Sequence, residues 1–213
     1  MLRAFRVCSL TIDSPKLRIH TQTRFKRVVI DPGEYFASSG AITISTLLGS
    51  CVAACLFDPV NQVIGMNHFL LSSRKCDGKL DMDAGRYGLH AMDLLINSMM
   101  AAGADRRLLK AKAFGGASIY RGDGEKDSFL NVGRVNCSFI REFLATDRIP
   151  LVAESLGGTA GRVIHFSNGE FAVYMRRIAP TKSIRVAERD HQCWLKAIEA
   201  QEKSMPNVDL WLT

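Results

Sequence analysis

A cysteine and a histidine in two neighbouring apolar segments carry the clearest chemical potential of this sequence. Cys51 follows a Gly49-Ser50 turn, and His68 lies in the apolar run 63–71. An imidazole beside a thiol favours the nucleophilic thiolate over a thiol whose free pKa is about 8.5. Backbone N–H groups near Gly49 and Ser50 can hold an oxyanion, which is a large contribution in acyl-transfer catalysis. This arrangement is typical of a thiol hydrolase.

The same residues also have a purely structural interpretation. Cysteine is among the most buried residue types, and a single cysteine in an apolar strand usually belongs to the core. Cys55 lies in the middle of the same apolar run with no Gly-Ser turn before it, so we interpret it as a core residue. On the local pattern alone, both interpretations of Cys51 stay open.

A hairpin must bring the two segments together. Residues 52–57 and 63–71 are apolar runs separated by Pro, Asn and Asp, which marks a turn between two strands. A two-residue hairpin turn needs a positive φ that Pro59 cannot adopt. We therefore expect a four-residue loop from Pro59 to Gln62, with Asn61 in the left-handed conformation.

That loop length fixes the pairing of the two strands. Asp58 is predicted to pair with Val63, which places Ala53 opposite His68. Cys51 then lies diagonally from His68 on the same face, with about 7–8 Å between the backbone atoms of the two residues. A loop of odd length would put the two side chains on opposite faces, so the catalytic interpretation depends on this register.

The remaining segments alternate between strand and helix patterns. Strands are predicted at 28–30, 35–38, 41–45, 108–114 and 149–153, and a second hairpin at 162–166 and 171–175. Helices are predicted at 83–102, at 137–146 with Asn136 as its cap, and at 183–203. Loops are predicted at 72–81 and 121–127. The pairs Gly115-Gly116 and Gly157-Gly158 each close a strand and mark close backbone approach.

Composition favours one globular domain in the cytoplasm. The 213 residues are 47% hydrophobic and 23% charged, which is ordinary for a globular protein. No apolar stretch reaches the roughly 18 residues of a membrane span. Arg3 and Arg6 interrupt any secretory signal pattern. The six cysteines form no C-x-x-C pair, so the sequence gives little support to zinc binding or to disulfides.

The positive charge is concentrated at the start of the chain. Residues 1–28 hold seven Lys or Arg against one Asp, which is six of the net +7. Such a leader is either a solvated terminus or an arm for an acidic surface. Because the rest of the chain is nearly neutral, we do not predict a nucleic-acid-binding protein.

Several ordered segments together resemble the chemoreceptor glutamine deamidases of the CheD family. The resemblance runs from about residue 28 to residue 176. It rests on PGEYFAS, TLLGSCVAACLFDP, GMNHFLL, RYGLHAMDLLI, LKAKAFGGA, NVGRVN and LGGTAGRVIHF, in that order. The separation of TLLGSC from GMNHFLL makes the signal specific.

This resemblance implies a layered α/β sandwich of mixed and antiparallel sheets with flanking helices, related to deamidating bacterial toxins. It implies Cys51 as nucleophile and His68 as base, with a hydroxyl from Ser45 or Thr46 completing the triad. Site-lining positions would include Asn67, Gly115 and Gly116. No metal or organic cofactor is expected.

The implied substrates are glutamine side chains in the cytoplasmic part of methyl-accepting chemotaxis receptors. Some family members also bind a CheC-type response-regulator phosphatase. We therefore predict a basic leader at 1–26, a deamidase domain at 27–177 and a helical extension at 178–213, without membrane insertion. Two alternatives are a non-catalytic module that binds receptors or the phosphatase, and another thiol enzyme such as a protease or transglutaminase.

Overall fold

The computed structural model describes residues 18–20, 26–71, 82–119 and 127–204. Its strands are β1 (Arg18–His20), β2 (Lys26–Val29), β3 (Tyr35–Ser38), β4 (Ile42–Leu48), β5 (Val52–Asp58), β6 (Val63–Asn67), β7 (Lys110–Gly115), β8 (Leu151–Leu156), β9 (Arg162–Ser167) and β10 (Val173–Arg177). Its helices are α1 (Met82–Ala101), α2 (Asp127–Thr146) and α3 (Pro180–Ser204), and a 3₁₀ turn spans Arg106–Leu108. The predicted loop at 72–81, residues 121–126 of the second loop and most of the basic leader lie outside the described residues.

The strands form two five-stranded mixed sheets. Sheet A has the order β1-β2-β4-β9-β10, and sheet B has the order β3-β6-β5-β7-β8. Within sheet A only β2 and β4 are parallel neighbours, and within sheet B only β7 and β8 are. The predicted α/β class with mixed sheets is confirmed. The three residues of β1, which fall within the predicted leader, pair with β2.

Two apolar cores explain why β5 is a continuous apolar run. All seven residues of β5 are buried. Ala53, Cys55 and Phe57 contribute to the core shared with sheet A. Val52, Ala54 and Leu56, whose side chains alternate with these, contribute to the core shared with α1 and α2. A strand between two apolar layers carries no polar face, and the core interpretation of Cys55 is confirmed.

The β5–β6 hairpin has the predicted register. Asp58 pairs with Val63, and the same register continues to a bridge between Val52 and Phe69. The positive φ of the loop lies at Gln62 (56°) and not at the predicted Asn61. The buried Asp58 carboxylate explains this placement, because Oδ1 accepts the Val60 and Asn61 backbone N–H groups at 2.9 and 3.0 Å.

The helices follow the sequence pattern with one correction. The helices predicted at 83–102 and 183–203 are confirmed as α1 and α3. The one predicted to start after Asn136 is wrong at its beginning, because α2 starts at Asp127 and Asn136 lies inside it. Gly133 permits this, since a Cβ there would lie only 2.7 Å from the Gly116 carbonyl oxygen. None of the helices in the described part of the chain is long and apolar enough to cross a membrane.

The second predicted hairpin is also confirmed, as β9 and β10 of sheet A. Gly169 lies in its turn with φ 95°. β9 also pairs with β4, so that Ile164 and Phe166 enter the core between the two sheets. His165 and Ser167, which alternate with these two residues, therefore point to the outer face of sheet A.

Candidate active site

Cys51 lies in the short turn between β4 and β5 and is fully buried. The turn is held against the end of β7 by two backbone hydrogen bonds. Gly116 N–H donates to the Cys51 carbonyl oxygen at 2.7 Å, and Ala117 N–H donates to the Gly49 carbonyl oxygen at 2.8 Å. Gly115 has φ 118°, and a Cβ there would collide with the Cys51 carbonyl oxygen. The predicted close approach is thus to the backbone of Cys51 at Gly115 and to α2, at Cys137 and Gly133, at Gly116.

Asn136 of α2 braces the same turn, a contact that the sequence analysis missed. Its side-chain amide donates to the Ser50 carbonyl oxygen at 2.9 Å. Its oxygen accepts the Leu71 backbone N–H at 2.9 Å. One buried side chain therefore ties the turn before Cys51 to the chain that follows His68. In the sequence, Asn136 comes just before an apolar helical stripe, which indicates a helix cap. An asparagine side chain can also hydrogen-bond other backbone groups, and the local pattern does not distinguish the two roles.

His68 follows the end of β6, and Thr46 of β4 orients its ring. The Thr46 hydroxyl donates to the Ile30 carbonyl oxygen at 2.7 Å. Because that hydroxyl has one hydrogen to give, it accepts at its 2.7 Å contact with His68 Nδ1. This network assigns the proton of the neutral ring to Nδ1 and leaves the Nε2 lone pair as the acceptor. Nε2 is buried and makes no hydrogen bond to any described residue.

The backbone fixes where the ring stands relative to Cys51. His68 N–H donates to the Glu34 carbonyl oxygen at 2.9 Å, and Gly33 N–H donates to the His68 carbonyl oxygen at 2.7 Å. The bridge between Val52 and Phe69 places His68 opposite Ala53, as predicted. His68 and Cys51 therefore share one face of sheet B as diagonal neighbours.

Ser45, the other predicted hydroxyl, lies on the opposite face of β4. Its Oγ is 2.8 Å from His165 Nδ1 and accepts the Arg27 Nε–H at 3.0 Å. Thr46 lies with Ile44 and faces the core between the sheets. Of the two hydroxyls that the sequence left open, the structure brings Thr46 alone to His68.

Asn67 is not brought into the site either. Its oxygen accepts the Ala54 backbone N–H at 3.0 Å, and its amide donates to the Ala91 carbonyl oxygen of α1 at 3.1 Å. Adjacent strand residues point to opposite faces, so Asn67 faces the helix layer while His68 faces the core between the sheets. Its role in this structure is to join the hairpin to α1.

Helix α3 contributes charged groups that sequence analysis did not place here. Asp190 is fully buried, and its Oδ2 accepts Ser50 N–H at 2.8 Å and Ser50 Oγ–H at 3.1 Å. Arg189 donates to the Leu47 carbonyl oxygen at 2.8 Å and to Asp190 Oδ1 at 3.1 Å. The helix was predicted from its composition, but nothing in its sequence indicated which part of the protein it contacts.

Burial decides the charge state of the central pair. It raises the pKa of the Cys51 thiol well above its ordinary value, and the neighbouring Asp190 charge raises it further. Burial also lowers the pKa of His68 well below its ordinary value, and Arg189 adds to that effect. In this conformation the pair is a neutral thiol and a neutral imidazole, so the thiolate expected from the sequence is not formed.

No group of three or more His, Cys, Asp or Glu side chains within the described ranges is arranged to hold a metal ion. The Thr46 hydroxyl contacts the His68 imidazole, and the Cys51 thiol lies on the same face of sheet B as that ring. A thiol with a general base and nearby backbone donors is equipped for acyl transfer.

Known proteins resemble this chain over most of its length. The CheD family model, described as CheD chemotactic sensory transduction, matches residues 70–177, beginning just after His68. A Geobacter sulfurreducens protein named probable chemoreceptor glutamine deamidase CheD 1 is 50% identical over 186 residues, covering 86% of this chain and 92% of that protein. A Shewanella oneidensis protein named probable chemoreceptor glutamine deamidase CheD 2 is 49% identical over 192 residues, covering 86% of this chain and 94% of its own.

Among solved structures, that of the Bacillus licheniformis hypothetical protein YfiH covers 57% of this chain and 49% of its own. Its TM-score of 0.36 and 14% identity are too low to carry any argument about the fold or the site. The relatives at 49–50% identity, together with the family model, show that this chain belongs to the CheD family.

Proposed function

We propose that this protein hydrolyses glutamine side chains of chemoreceptors to glutamate and releases ammonia. The names of its relatives support this substrate. The observation that carries the chemistry is the orientation of His68. The Thr46 hydroxyl accepts a hydrogen bond from Nδ1–H of His68. The Nε2 lone pair is therefore left without a partner among the described residues, and the ring lies on the face that also carries Cys51.

In the first half of the reaction, His68 Nε2 takes the Cys51 proton and the sulfur attacks the carboxamide carbon. A carbon–sulfur bond forms, and the carbonyl electrons move onto oxygen. When the tetrahedral species collapses, the carbon–nitrogen bond breaks and the His68 proton leaves with ammonia. The product of this half is a thioester between Cys51 and the former glutamine.

In the second half, a water molecule gives one proton to His68 and attacks the thioester carbon. The carbon–sulfur bond then breaks, and the sulfur recovers its proton from His68. The side chain leaves as glutamate. General-base catalysis of this kind contributes about 10²–10⁴-fold, and the orientation of the ring decides whether one nitrogen can both accept and return the proton.

The oxyanion of both steps needs donors beside the sulfur. We propose the backbone N–H groups of Ser50 and Cys51, because Gly49-Ser50 forms the turn and Gly116 and Asn136 fix its carbonyl oxygens. Fixed donors need no reorganisation when charge develops on the substrate oxygen. Gly49 itself contributes the room for close approach.

The biological setting follows from the family. We propose that the substrates lie in the cytoplasmic part of methyl-accepting receptors, where each new glutamate becomes a methylation site, and that the protein acts in the cytoplasm without entering the membrane. We also propose a CheC-type response-regulator phosphatase as a second partner, and an architecture shared with deamidating bacterial toxins.

Mass spectrometry of a receptor cytoplasmic fragment incubated with the protein tests this function. The expected result is a gain of about 1 Da at defined glutamines, the signature of thiol-catalysed hydrolysis, with an equal amount of ammonia. Peptide cleavage would indicate a protease, and cross-linking would indicate a transglutaminase. Binding of the fragment without any mass gain would instead support the non-catalytic regulatory module.

A further inference from the structure

Helix α3 covers the candidate site with one face. Its buried positions recur at helical spacing and are Ser183, Val186, Ala187, Asp190 and Trp194. The opposite face is exposed and includes Ile184 at 57% exposure. Trp194 belongs to the same core cluster as Cys51. Cys51 is consequently closed off from solvent in this structure, although the proposed reaction needs a protein side chain to reach its sulfur.

Asp190 is placed where the proposed reaction would develop charge. Its carboxylate accepts the Ser50 N–H, one of the two donors proposed for the oxyanion, at 2.8 Å. Its Oδ2 lies so close to Gly49 that a Cβ at that position would collide with it. Arg189 neutralises the carboxylate and anchors the helix to the Leu47 carbonyl oxygen. A carboxylate on these donors has the chemistry of the reaction product, a glutamate side chain.

Helix α3 follows all ten described strands in the chain, so no strand of either sheet depends on it for its connection to the next strand. The helix is tied to the site by two polar contacts, Asp190 to Ser50 and Arg189 to the Leu47 carbonyl oxygen, and by the burial of Trp194. Displacing α3 breaks the two polar contacts and withdraws Trp194 from the core that contains Cys51.

We propose that α3 is an autoinhibitory helix, in which Asp190 occupies the oxyanion position as a product-like carboxylate and the helix must be displaced by the receptor segment before Cys51 can react. This inference rests on the proposed function for its substrate, but the cover over Cys51 stands on the contacts alone. Displacement removes both the burial and the Asp190 charge that hold Cys51 in its thiol form. Opening therefore exposes and activates the nucleophile together.

The test uses the full chain and compares two substitutions on opposite faces of α3. Val186→Asp places a charge in the contact between α3 and Gly49, whereas Ile184→Asp places the same charge in solvent. The readout is the rate at which iodoacetamide alkylates Cys51, followed by peptide mass spectrometry. Cys55 is the internal control for unfolding because it is fully buried within β5, where it pairs with Met66 and Lys112 of the neighbouring strands.

We expect Val186→Asp to speed alkylation of Cys51 about ten- to a hundredfold, since an unpaired charge strongly disfavours the closed state. Ile184→Asp should match the wild type, and Cys55 should stay unreactive in both. An alkylation rate in Val186→Asp no faster than in Ile184→Asp would overturn the proposal.

A second variant keeps the test decisive if Val186→Asp also exposes Cys55. Asp190→Ala removes only the carboxylate, and we expect faster alkylation of Cys51 and faster deamidation, each by about tenfold, the effect of losing a hydrogen bond to a charged group. A loss of deamidation with unchanged alkylation would make Asp190 part of the catalytic machinery and refute autoinhibition. Faster alkylation of Cys51 in a variant, with no deamidation by any of the proteins including the wild type, would refute the proposed function. The conclusion that α3 covers Cys51 would then be retained.

Discussion

Ser45 and Thr46 are neighbours in β4, and each hydroxyl holds a histidine, yet the two pairs have different surroundings. The inner pair, Thr46 with His68, lies in the core between the sheets, on the face that carries Cys51. The outer pair, Ser45 with His165, lies on the far face of sheet A beside Arg27. None of the four described cysteines lies on that far face of sheet A.

Two hydroxyl–imidazole contacts on one strand therefore differ mainly in what surrounds them. Both histidines have a lowered pKa, in each case through burial first and a nearby guanidinium second. What separates them is the Cys51 thiol on the face of the inner pair, since none of the cysteines that the structure describes lies beside the outer pair. The alternation of strand side chains places the Thr46 hydroxyl on the face that carries Cys51 and the Ser45 hydroxyl on the outer face of sheet A.

Substitution of each of the two histidines tests the difference between the pairs most strongly. His68→Ala should lower the rate of glutamine deamidation about 10²–10⁴-fold, because it removes the general base. His165→Ala should leave the rate within about twofold, as expected for a group that does not touch the reacting atoms. The measurement is the initial rate of ammonia release with a receptor fragment. Equal losses in the two variants would show that the inner pair has no special role.

The two hydroxyls give a smaller effect in the same direction. Thr46→Ala should cost about tenfold in rate, since the ring keeps its place in the core but loses the acceptor that fixes its tautomer. Ser45→Ala should keep the wild-type rate, although it removes a hydrogen-bonded hydroxyl of similar burial. Mass-spectrometric progress curves for both variants check this. A larger loss of rate in Ser45→Ala than in Thr46→Ala would mean that the Ser45 side chain, and not that of Thr46, faces His68 in solution.

The sequence was sufficient for the hairpin and insufficient for the helix over it. The loop length at Pro59 fixed the β5–β6 register, and with it the shared face of Cys51 and His68. The choice of Thr46 was also present in the pattern ITISTLL, where it alternates in phase with Ile42, Ile44 and Leu48. That alternation does not say which face of β4 meets His68, so the sequence alone leaves both hydroxyls open.

The surface against which α3 packs could not be predicted from the sequence in the same way. An amphipathic pattern identifies the face of a helix that is buried, but it does not identify the surface that buries it. The contact of Asp190 with Ser50 joins residues 140 positions apart, which no local rule connects. Asn136 was misread for a related reason, because its amide is used by a turn 86 positions away.

The smallest predicted effect concerns stability against pH. The pKa of His68 is lowered in the folded state, so below about pH 6.5 the unfolded chain binds a proton that the folded protein refuses. The free energy of unfolding should therefore fall as the pH drops below that value, by up to about 1.4 kcal/mol per pH unit from this residue. The polar groups that act on His68 are the Thr46 hydroxyl from β4 and the Arg189 guanidinium from α3.

Urea unfolding of the wild type and of His68→Gln between pH 7.5 and 5.5 isolates that contribution, the range spanning the ordinary histidine pKa of about 6.5. The variant should lose less stability on acidification than the wild type. Identical losses in the two proteins would show that His68 is accessible to protons in the folded state, contrary to its burial here.

The most direct measurement of the central claim is deamidation by two cysteine variants in which both histidine pairs are intact. Cys51 and Cys55 are both fully buried and four residues apart, so Cys51→Ala and Cys55→Ala are matched in the kind of change they make. We predict that Cys55→Ala converts glutamine to glutamate in a receptor fragment, with a gain of about 1 Da per site, and that Cys51→Ala does not. Conversion by Cys51→Ala at the rate of Cys55→Ala would contradict the account.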